Sequence, residues 1–300
     1  MFVIRHRKIF YCVSGVLVAA SIFAIVYYGL HYSIEFTGGS LLEVEYPTAR
    51  PALHIIEQEV QKLHFGNSTI QPTGERSVTV RSRTLAEEEH QALVEKLAFL
   101  GAEQGPIIEK RFNSVGPVIG KELQRKSYTG IVIVILMIIF YIAFAFRKVS
   151  RPVSSFIYGF MAVAALAHDV ILPTGFFVLL GYLRGVEIDI LFVTALLTVL
   201  GFSVHDTIVV FDRIRENLGN RIGGTFEETV GISLRQTITR SVNTSLTVVF
   251  VLLALYFLGG ETTRFFALAL VIGVVTGTYS SIFLAAPLLV TIEKWKGRRA

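Results

Sequence analysis

Six stretches of the chain consist almost entirely of apolar residues. They lie at approximately 10–30, 128–146, 153–180, 187–211, 238–258 and 265–290. An α-helix rises about 1.5 Å per residue, so about 20 apolar residues are needed to cross the roughly 30 Å hydrocarbon core of a bilayer. The pattern therefore predicts a polytopic α-helical membrane protein with six transmembrane helices.

The segment between the first two apolar runs has the shorter periodicities of a small α+β domain. Alternating apolar residues predict strands at 41–46, 68–71, 77–81 and 106–115. Apolar residues at helical spacing predict amphipathic helices at 51–65 and 85–100. The resulting order, βαββαβ, is that of the split ferredoxin-like fold, which is a scaffold and does not by itself name a function.

Lysine and arginine are concentrated beside the predicted spans, on one side of the membrane. The basic residues on that side are Arg5, Arg7, Lys8, Arg147, Lys148, Arg151, Lys294, Lys296, Arg298 and Arg299. The opposite loops carry only Arg184 and Arg264. Because cytoplasmic loops are enriched in lysine and arginine, both termini are predicted to be cytoplasmic, which requires an even number of spans.

This topology divides the chain into four parts. Residues 1–30 are predicted to form the first transmembrane helix, and residues 31–127 an external domain. Residues 128–292 are predicted to form a five-helix bundle with a charged cytoplasmic loop at 212–239, in which 225–234 is a candidate surface helix. Residues 293–300 are the cytoplasmic tail.

Overall composition narrows the class of protein further. The 300 residues carry a net charge of +5 and a mean hydropathy of +0.59, with one cysteine, Cys12. The positive charge lies beside the spans and forms no basic face with interleaved aromatic residues, so nucleic-acid binding is not expected. The first apolar run is longer than a signal-peptide core and ends in Tyr27-Tyr28-Gly29, which favours an uncleaved membrane anchor.

Two charged residues at matching depths are the strongest candidates for function. Asp206 lies six residues before Asp212, or about 9 Å inside span four, and Arg240 lies five residues after Arg235, or about 7.5 Å inside span five. Because these spans run antiparallel, an Asp206–Arg240 pair is geometrically possible. Such a pair could carry a proton or ion, or be a static salt bridge, and Arg240 could instead snorkel to the membrane surface.

Two further polar positions lie in the spans. Asp169 lies 18 residues after Arg151, or about 27 Å along the helix, which places it nearer the outer face than Asp206. With His168 it is either a second relay site or a polar pair at a helix interface. His205 precedes Asp206, and histidine is the residue type that ordinarily exchanges protons at physiological pH, so it is a candidate for a proton path, the alternative being a packing residue.

Enzyme signatures are missing from the sequence. It contains no P-loop, CxxC, HExxH or GxSxG motif, so no enzymatic activity, cofactor or metal is expected. Any work done by the chain must then draw on an ion gradient or on a partner. In span six, Gly273 and Gly277 form a small-xxx-small pattern, which predicts a close helix contact.

Four stretches resemble the SecF half of the SecD/SecF family. The first, Ile34-Glu35-Phe36-Thr37-Gly38-Gly39, is similar to the family's D-F-T-G-G motif, with Glu35 where the family usually has aspartate. The second is Val115-Gly116-Pro117-Val118-Ile119-Gly120, which leads into span two. The third, 201–217, reads GFSVHDTIVVFDRIREN, with histidine at 205 where relatives often carry asparagine. The fourth comprises 259–260, 266–273 and 277–282.

The resemblance implies half of a transporter of the RND superfamily, with a small external domain after the first of six spans. It implies pairing with SecD, association with the SecYEG channel and YajC in the lipid bilayer of a bacterial-type plasma membrane, and contact with the translocating polypeptide. It also implies that proton flow promotes export, with sodium as the alternative ion. By residue match, Asp206 and Arg240 correspond to the family's proton-linked aspartate and its functional arginine.

Two other functions are compatible with the same sequence. One is half of an RND-type lipid or drug exporter, although the external domains of such exporters are usually much larger. The other is a passive assembly subunit of the translocon in which Asp206 is only structural.

Overall fold

The computed structural model describes residues 2–66, 68–101, 105–145 and 155–297. Residues 147, 148, 151, 298 and 299, which contributed to the predicted orientation, lie outside this set. The chain forms two compact units. One is Tyr32–Tyr128, and the other combines Met1–His31 with Thr129–Ala300.

Six of the described helices are long and apolar enough to cross a membrane, which confirms the predicted number of spans. After a short helix α1 (Phe2–Arg5), the chain forms α2 (Arg7–Tyr28), α6 (Pro117–Ala145), α7 (Ser155–Arg184), α8 (Ile190–Gly219) and α9 (Phe226–Leu258). The last span combines α10 (Glu261–Ser280), a π-helical turn (Ser281–Ala285) and α11 (Ala286–Gly297). The three helices between α2 and α6 belong to the other unit.

Most of the segment expected as a charged loop, 212–239, is helical. Helix α8 continues through Asp212 to Gly219, and α9 already begins at Phe226. The separate surface helix expected at 225–234 is therefore the first part of α9. Thr225 and Glu228 form a reciprocal capping box at its start. A membrane boundary changes which side chains are favourable, but it does not interrupt backbone hydrogen bonding, so charged residues here do not end the helix.

The buried core of the helical unit lies among α7, α8 and α10, whereas α2, α6 and α9 expose most of their apolar side chains. Contact between α8 and α10 is very close, as the small-xxx-small pattern predicted. A Cβ atom on Gly273 would lie 2.1 Å from Val199 Cγ2, and one on Gly277 would lie 3.0 Å from Ser203 Cβ.

The start of α2 and the last part of α11 lie at the same end of the helical unit. Glu227, in the first turn of α9, accepts a hydrogen bond from Arg7 Nη1 at 2.9 Å and a second from Lys294 Nζ. Arg7 begins α2 and Lys294 lies in α11. The three residues therefore connect the first and last spans through α9.

The second unit is an antiparallel sheet with helices. Its elements are α3 (Ile34–Thr37), β1 (Gly39–Glu45), α4 (Leu53–Gln61), β2 (Thr69–Thr73), β3 (Ser77–Ser82), α5 (Glu87–Leu100) and β4 (Ile108–Val115). The strand order is β2-β3-β1-β4, and all neighbouring strands are antiparallel. This confirms the predicted ferredoxin-like order. Leu42, Val44, Val78 and Val80 alternate along β1 and β3 and join the buried core with residues of α4 and α5.

The two glycine-containing motifs of the sequence pack against each other within this unit. Gly38 and Gly39 have φ values of 77° and 125°, which side chains other than glycine adopt rarely. A Cβ on Gly38 would lie 2.7 Å from Pro117 Cα, and one on Gly120 would lie 2.8 Å from Gly38 N. The glycines therefore allow the chain entering β1 to lie directly against the start of α6.

Tyr46 offers a test of whether this unit folds alone. It is fully buried, its hydroxyl donates to Leu97 O at 3.2 Å, and burial raises its pKa to about 12. It is the only tyrosine in a fragment of residues 33–120. The pKa of Tyr46 is raised only in the folded state. The protonated phenol therefore makes its full contribution to stability below about pH 10, the pKa of an unfolded tyrosine, and this contribution is lost as the pH rises towards 12.

We expect the 33–120 fragment to unfold cooperatively, and its phenolate absorbance to develop about two pH units above that of free tyrosine. The comparison is a spectrophotometric titration in buffer and in denaturant. Titration near pH 10 in buffer would mean that the isolated fragment does not form this core. The Tyr46→Phe fragment is the control, since it should give no phenolate signal.

Candidate functional site

A layer of buried polar side chains crosses the otherwise apolar helical unit. Its members, here called the polar layer, are His168, Asp169, Ser203, Asp206, Thr207, Ser241, Ser245, Thr278, Ser280 and Ser281. They come from α7, α8, α9, α10 and the π-helical turn. Polar groups inside a membrane span have to pair with one another or line a hydrated path, so this layer is the candidate functional site.

Asp169 is the most completely enclosed carboxylate in the layer. It is fully buried and accepts hydrogen bonds at Oδ2 from Ser203 Oγ at 2.5 Å and from Ser280 Oγ at 2.6 Å. His168 Nδ1 lies 2.9 Å from its Oδ1. Pro173, four residues later in α7, has no N–H group to donate to the Asp169 carbonyl, so the helix leaves that oxygen without its usual backbone partner.

Asp206 has fewer partners than Asp169. Its side chain is buried, and Oδ1 accepts a hydrogen bond from Ser241 Oγ on α9. Among the described residues, Oδ2 has no hydrogen-bond partner, although the Ser281 hydroxyl is close to this carboxylate. The two carboxylates interact electrostatically.

Hydroxyl groups link the helices around the carboxylates. Thr207 and Ser281 are hydrogen-bonded at 2.8 Å, and Ser245 and Thr278 at 2.5 Å. Ser281 begins the π-helical turn. Such turns are rare inside α-helices and occur frequently at functional sites, where they change the direction of side chains.

Asp169 lies closer to Asp206 than its distance along the chain from Arg151 indicated. Counting from Arg151 placed it towards the outer face and away from Asp206. Helix α7 begins at Ser155 among the described residues, so Asp169 is 14 residues, or about 21 Å, into a helix of 30 residues. It is therefore near the middle of the helix, and its partner Ser203 lies one turn before Asp206 on α8.

The structure does not bring Arg240 to Asp206. Arg240 is exposed and forms no ion pair with any carboxylate of the described residues. It lines a cavity of about 300 Å³ between the C-terminal part of α8 and the N-terminal half of α9, together with Asp212, Arg213, Glu216 and Gln236. The next residue, Ser241, contacts Asp206 instead. Successive helical side chains point about 100° apart, so matching depth did not ensure a matching direction.

His205 lies outside the polar layer. Its side chain is exposed, while Asp206 next to it is buried. The structure therefore brings Asp206 and Asp169 into one layer and leaves Arg240 and His205 at its margins.

The motif residues lie in the other unit. Phe36 is buried there, Glu35 and Thr37 lie in α3, and Gly38, Gly39, Gly116 and Pro117 flank the contact described above.

The serines of the polar layer were not identified from the sequence. Ser203 with Asp206 and Thr207, and Ser241 with Ser245, are spaced three or four residues apart in apolar helices. Because such spacing places side chains on one helix face, it was a usable signal for a polar stripe. Within the described ranges no three His, Cys, Asp or Glu side chains are grouped as metal ligands.

Comparisons with known proteins agree on one family. The family described as protein export membrane protein SecD/SecF, C-terminal, matches residues 98–295, and the SecD/SecF GG motif matches residues 23–46. Protein translocase subunit SecF of Thermobaculum terrenum is 47% identical, over 97% of this chain and 93% of that protein. The SecF subunit of Anaerolinea thermophila is 38% identical, over 99% and 95%.

A solved structure is similar over the whole chain. The crystal structure of SecDF, a translocon-associated membrane protein from Thermus thermophilus, superposes with a TM-score of 0.81 at 31% identity, covering 98% of this chain. This chain spans 38% of the length of that SecDF chain. The six apolar helices and the similarity to SecF and SecDF proteins indicate that this chain is a multi-pass membrane protein of the bacterial plasma membrane. From these matches, the chain belongs to the SecD/SecF family of protein export membrane proteins, as a relative of its SecF subunits.

Proposed function

We propose that this chain is the SecF-type subunit of a SecDF accessory complex of the Sec translocon. In this role it uses the proton motive force to promote late steps of protein export across the plasma membrane. The observation that carries the proposal is the polar layer, because two carboxylates buried in an apolar helix bundle are costly and concentrate on ion pathways. The similarity to protein translocase subunits supports export as the process that such a pathway would drive.

Asp206 is the proposed carrier of the proton. Its Oδ2 makes no hydrogen bond among the described residues, although the Ser281 hydroxyl is close, so this oxygen is the proposed site of proton binding. Asp169 is the proposed second carboxylate of the path, held by the hydroxyl groups of Ser203 and Ser280. Ser203 and Asp206 lie on one face of α8, which brings the two sites together.

Arg240 is proposed to act through movement. A neighbouring arginine stabilises the ionised form of a carboxylate, so approach and separation of Arg240 would couple release and uptake of a proton at Asp206 to a shift of α9. In the separated state, which is the one observed, Arg240 lines the same cavity as Asp212 and Glu216, whose carboxylates pair with Arg215 and Arg213. His205, whose side chain is exposed, is proposed to line the outer margin of the path.

We propose that both termini are cytoplasmic and that residues 31–127 are external. The contact of Arg7 and Lys294 with one glutamate supports termini on the same side, and the lysine and arginine pattern supports the cytoplasmic side. Reporter fusions after residue 297 should read cytoplasmic and fusions near Gly74 external. An external reading after residue 297 would contradict this orientation.

The proposed partners are SecD, the SecYEG channel, YajC and the translocating polypeptide. Co-purification from the native membrane tests the first three. The external unit is the proposed site of contact with the polypeptide, because it is the larger part of the chain on the receiving side.

The function is tested by export into vesicles that contain this chain, its SecD partner and the channel. The rate at which export of a stalled substrate is completed should increase when a proton gradient is imposed. It should return to the basal rate when the gradient is collapsed. Stimulation that survives collapse of both proton and sodium gradients would favour a passive assembly subunit. Loss of the chain without any effect on export would favour an exporter of lipids or drugs.

A further inference from the structure

The hydroxyl of Ser280 has two acceptors within reach. Its Oγ lies 2.6 Å from Asp169 Oδ2 and 3.0 Å from the backbone oxygen of Gly277. A serine hydroxyl carries one hydrogen and can also accept through its lone pairs. Ser280 can therefore donate to one of these oxygens at a time, and it can accept from a donor at the other.

An aspartate needs such a partner if its protonation is to change while it stays buried. The ionised carboxylate only accepts hydrogen bonds, so Ser280 donates to it. The protonated form carries an O–H group, which has to donate. We propose that Ser280 reverses its hydrogen bond at this step, accepting from protonated Asp169 while donating to Gly277 O. This inference rests on the proposed ion path and adds the residue that allows Asp169 to take part in it.

Neither of the other two partners of Asp169 has this property. Within the part of the chain that the structure describes, Ser203 Oγ has Asp169 as its only hydrogen-bond partner. His168 contacts Asp169 through Nδ1 and could accept there only as the Nε2–H tautomer, which would leave that N–H buried without an acceptor among the described residues. The titratable groups around Asp169 are His168 on its own helix, Asp206 on α8, and Tyr279, whose ring stacks on His168.

The same carbonyl connects Ser280 with the Asp206 side of the layer. Ser281 Oγ lies 2.9 Å from Gly277 O and is hydrogen-bonded to Thr207. A carbonyl oxygen has two lone pairs, so it can accept from both serines. The turn of Ser280 to Gly277 O therefore leaves the hydrogen bond of Ser281 in place.

Infrared titration of the purified full-length chain tests this proposal without any export assay. A protonated carboxyl band that titrates with pH should be lost in Asp169→Asn, which assigns it to Asp169. In Ser280→Ala the midpoint of this band should move by about half to one pH unit, or about three- to tenfold in proton affinity, because the bonds lost from the two protonation states differ in strength. The band of the protonated carboxyl should also move to higher frequency, because its O–H group has lost its acceptor, and an unchanged frequency would mean that Ser280 only donates. Ser280→Cys, with a weak thiol donor, should give an intermediate value.

Ser233→Ala is the matched control. Ser233 is also a buried serine that donates to a helix carbonyl, Thr229 O at 2.7 Å, but it lies outside the polar layer and its side-chain partner is Asn217, not a carboxylate. It should leave the band unchanged. The proposal is overturned if no band is lost in Asp169→Asn, or if Ser280→Ala titrates as the unmodified chain does. If the infrared band behaves as expected but export does not depend on the gradient, only the proposed function is refuted.

Discussion

Replacing Asp206 with asparagine is expected to remove all stimulation of export by the proton gradient while leaving assembly intact. Asparagine has nearly the same size and can accept the hydrogen bond from Ser241, so the packing of α8 against α9 should be retained. It cannot bind and release a proton. The rate of export into vesicles with the Asp206→Asn chain should therefore equal the rate into vesicles with the unmodified chain after the proton gradient has been collapsed.

Asp189→Asn provides the control for this substitution. Asp189 caps α8 by accepting a hydrogen bond from Phe192 N at 2.8 Å, and asparagine is equally effective at an N-cap. The same chemical change outside the polar layer should therefore leave stimulation intact. If vesicles with an assembled Asp206→Asn chain respond to the gradient as the unmodified chain does, Asp206 is not the proton carrier.

A second large effect is expected when Gly273 is replaced by alanine. The added Cβ would lie 2.1 Å from Val199 Cγ2 and 2.9 Å from Val199 Cβ, and Val199 is buried and stiff at its first side-chain torsion. Helices α8 and α10 would have to separate. Overpacking of this kind costs about 1–3 kcal/mol, more than the helix propensity gained by replacing glycine. The thermal unfolding midpoint in detergent should fall.

Gly201→Ala is the matched control on α8, since no atom lies within 4 Å of the position of its Cβ. It should have the unchanged or slightly raised midpoint that helix propensity predicts. Adding Val199→Ala to Gly273→Ala should recover much of the loss, because it removes the two methyl groups that clash. Additive effects of these two substitutions would show that the residues are not in contact.

The environment of Asp206 also explains why the expected salt bridge with Arg240 is not seen. Counting residues from the nearest charges gave similar depths for the two side chains. The direction of each side chain depends on the rotation of α9, and this rotation presents Ser241 to the carboxylate and Arg240 to the cavity near Asp212. A state with Arg240 beside Asp206 therefore requires α9 to rotate or shift.

The sequence by itself determined the six spans, because the bilayer sets a minimum apolar length for each helix. It also determined the order of strands and helices in the second unit, because the apolar period changes from 3.6 to 2 between helix and strand. The close approach of Gly273 to α8 followed from local spacing in the same way. Each of these features depends on residues near one another in the chain.

Only the tertiary structure decided which side chains complete the site. Asp169, Ser203 and Ser280 come from three different helices, and their hydrogen bonds depend on how those helices are rotated and packed. Serine is tolerated in many membrane helices, so its presence alone does not mark a site. A position along one helix specifies the height of a side chain in the membrane, while its partner is specified by packing among helices distant in sequence.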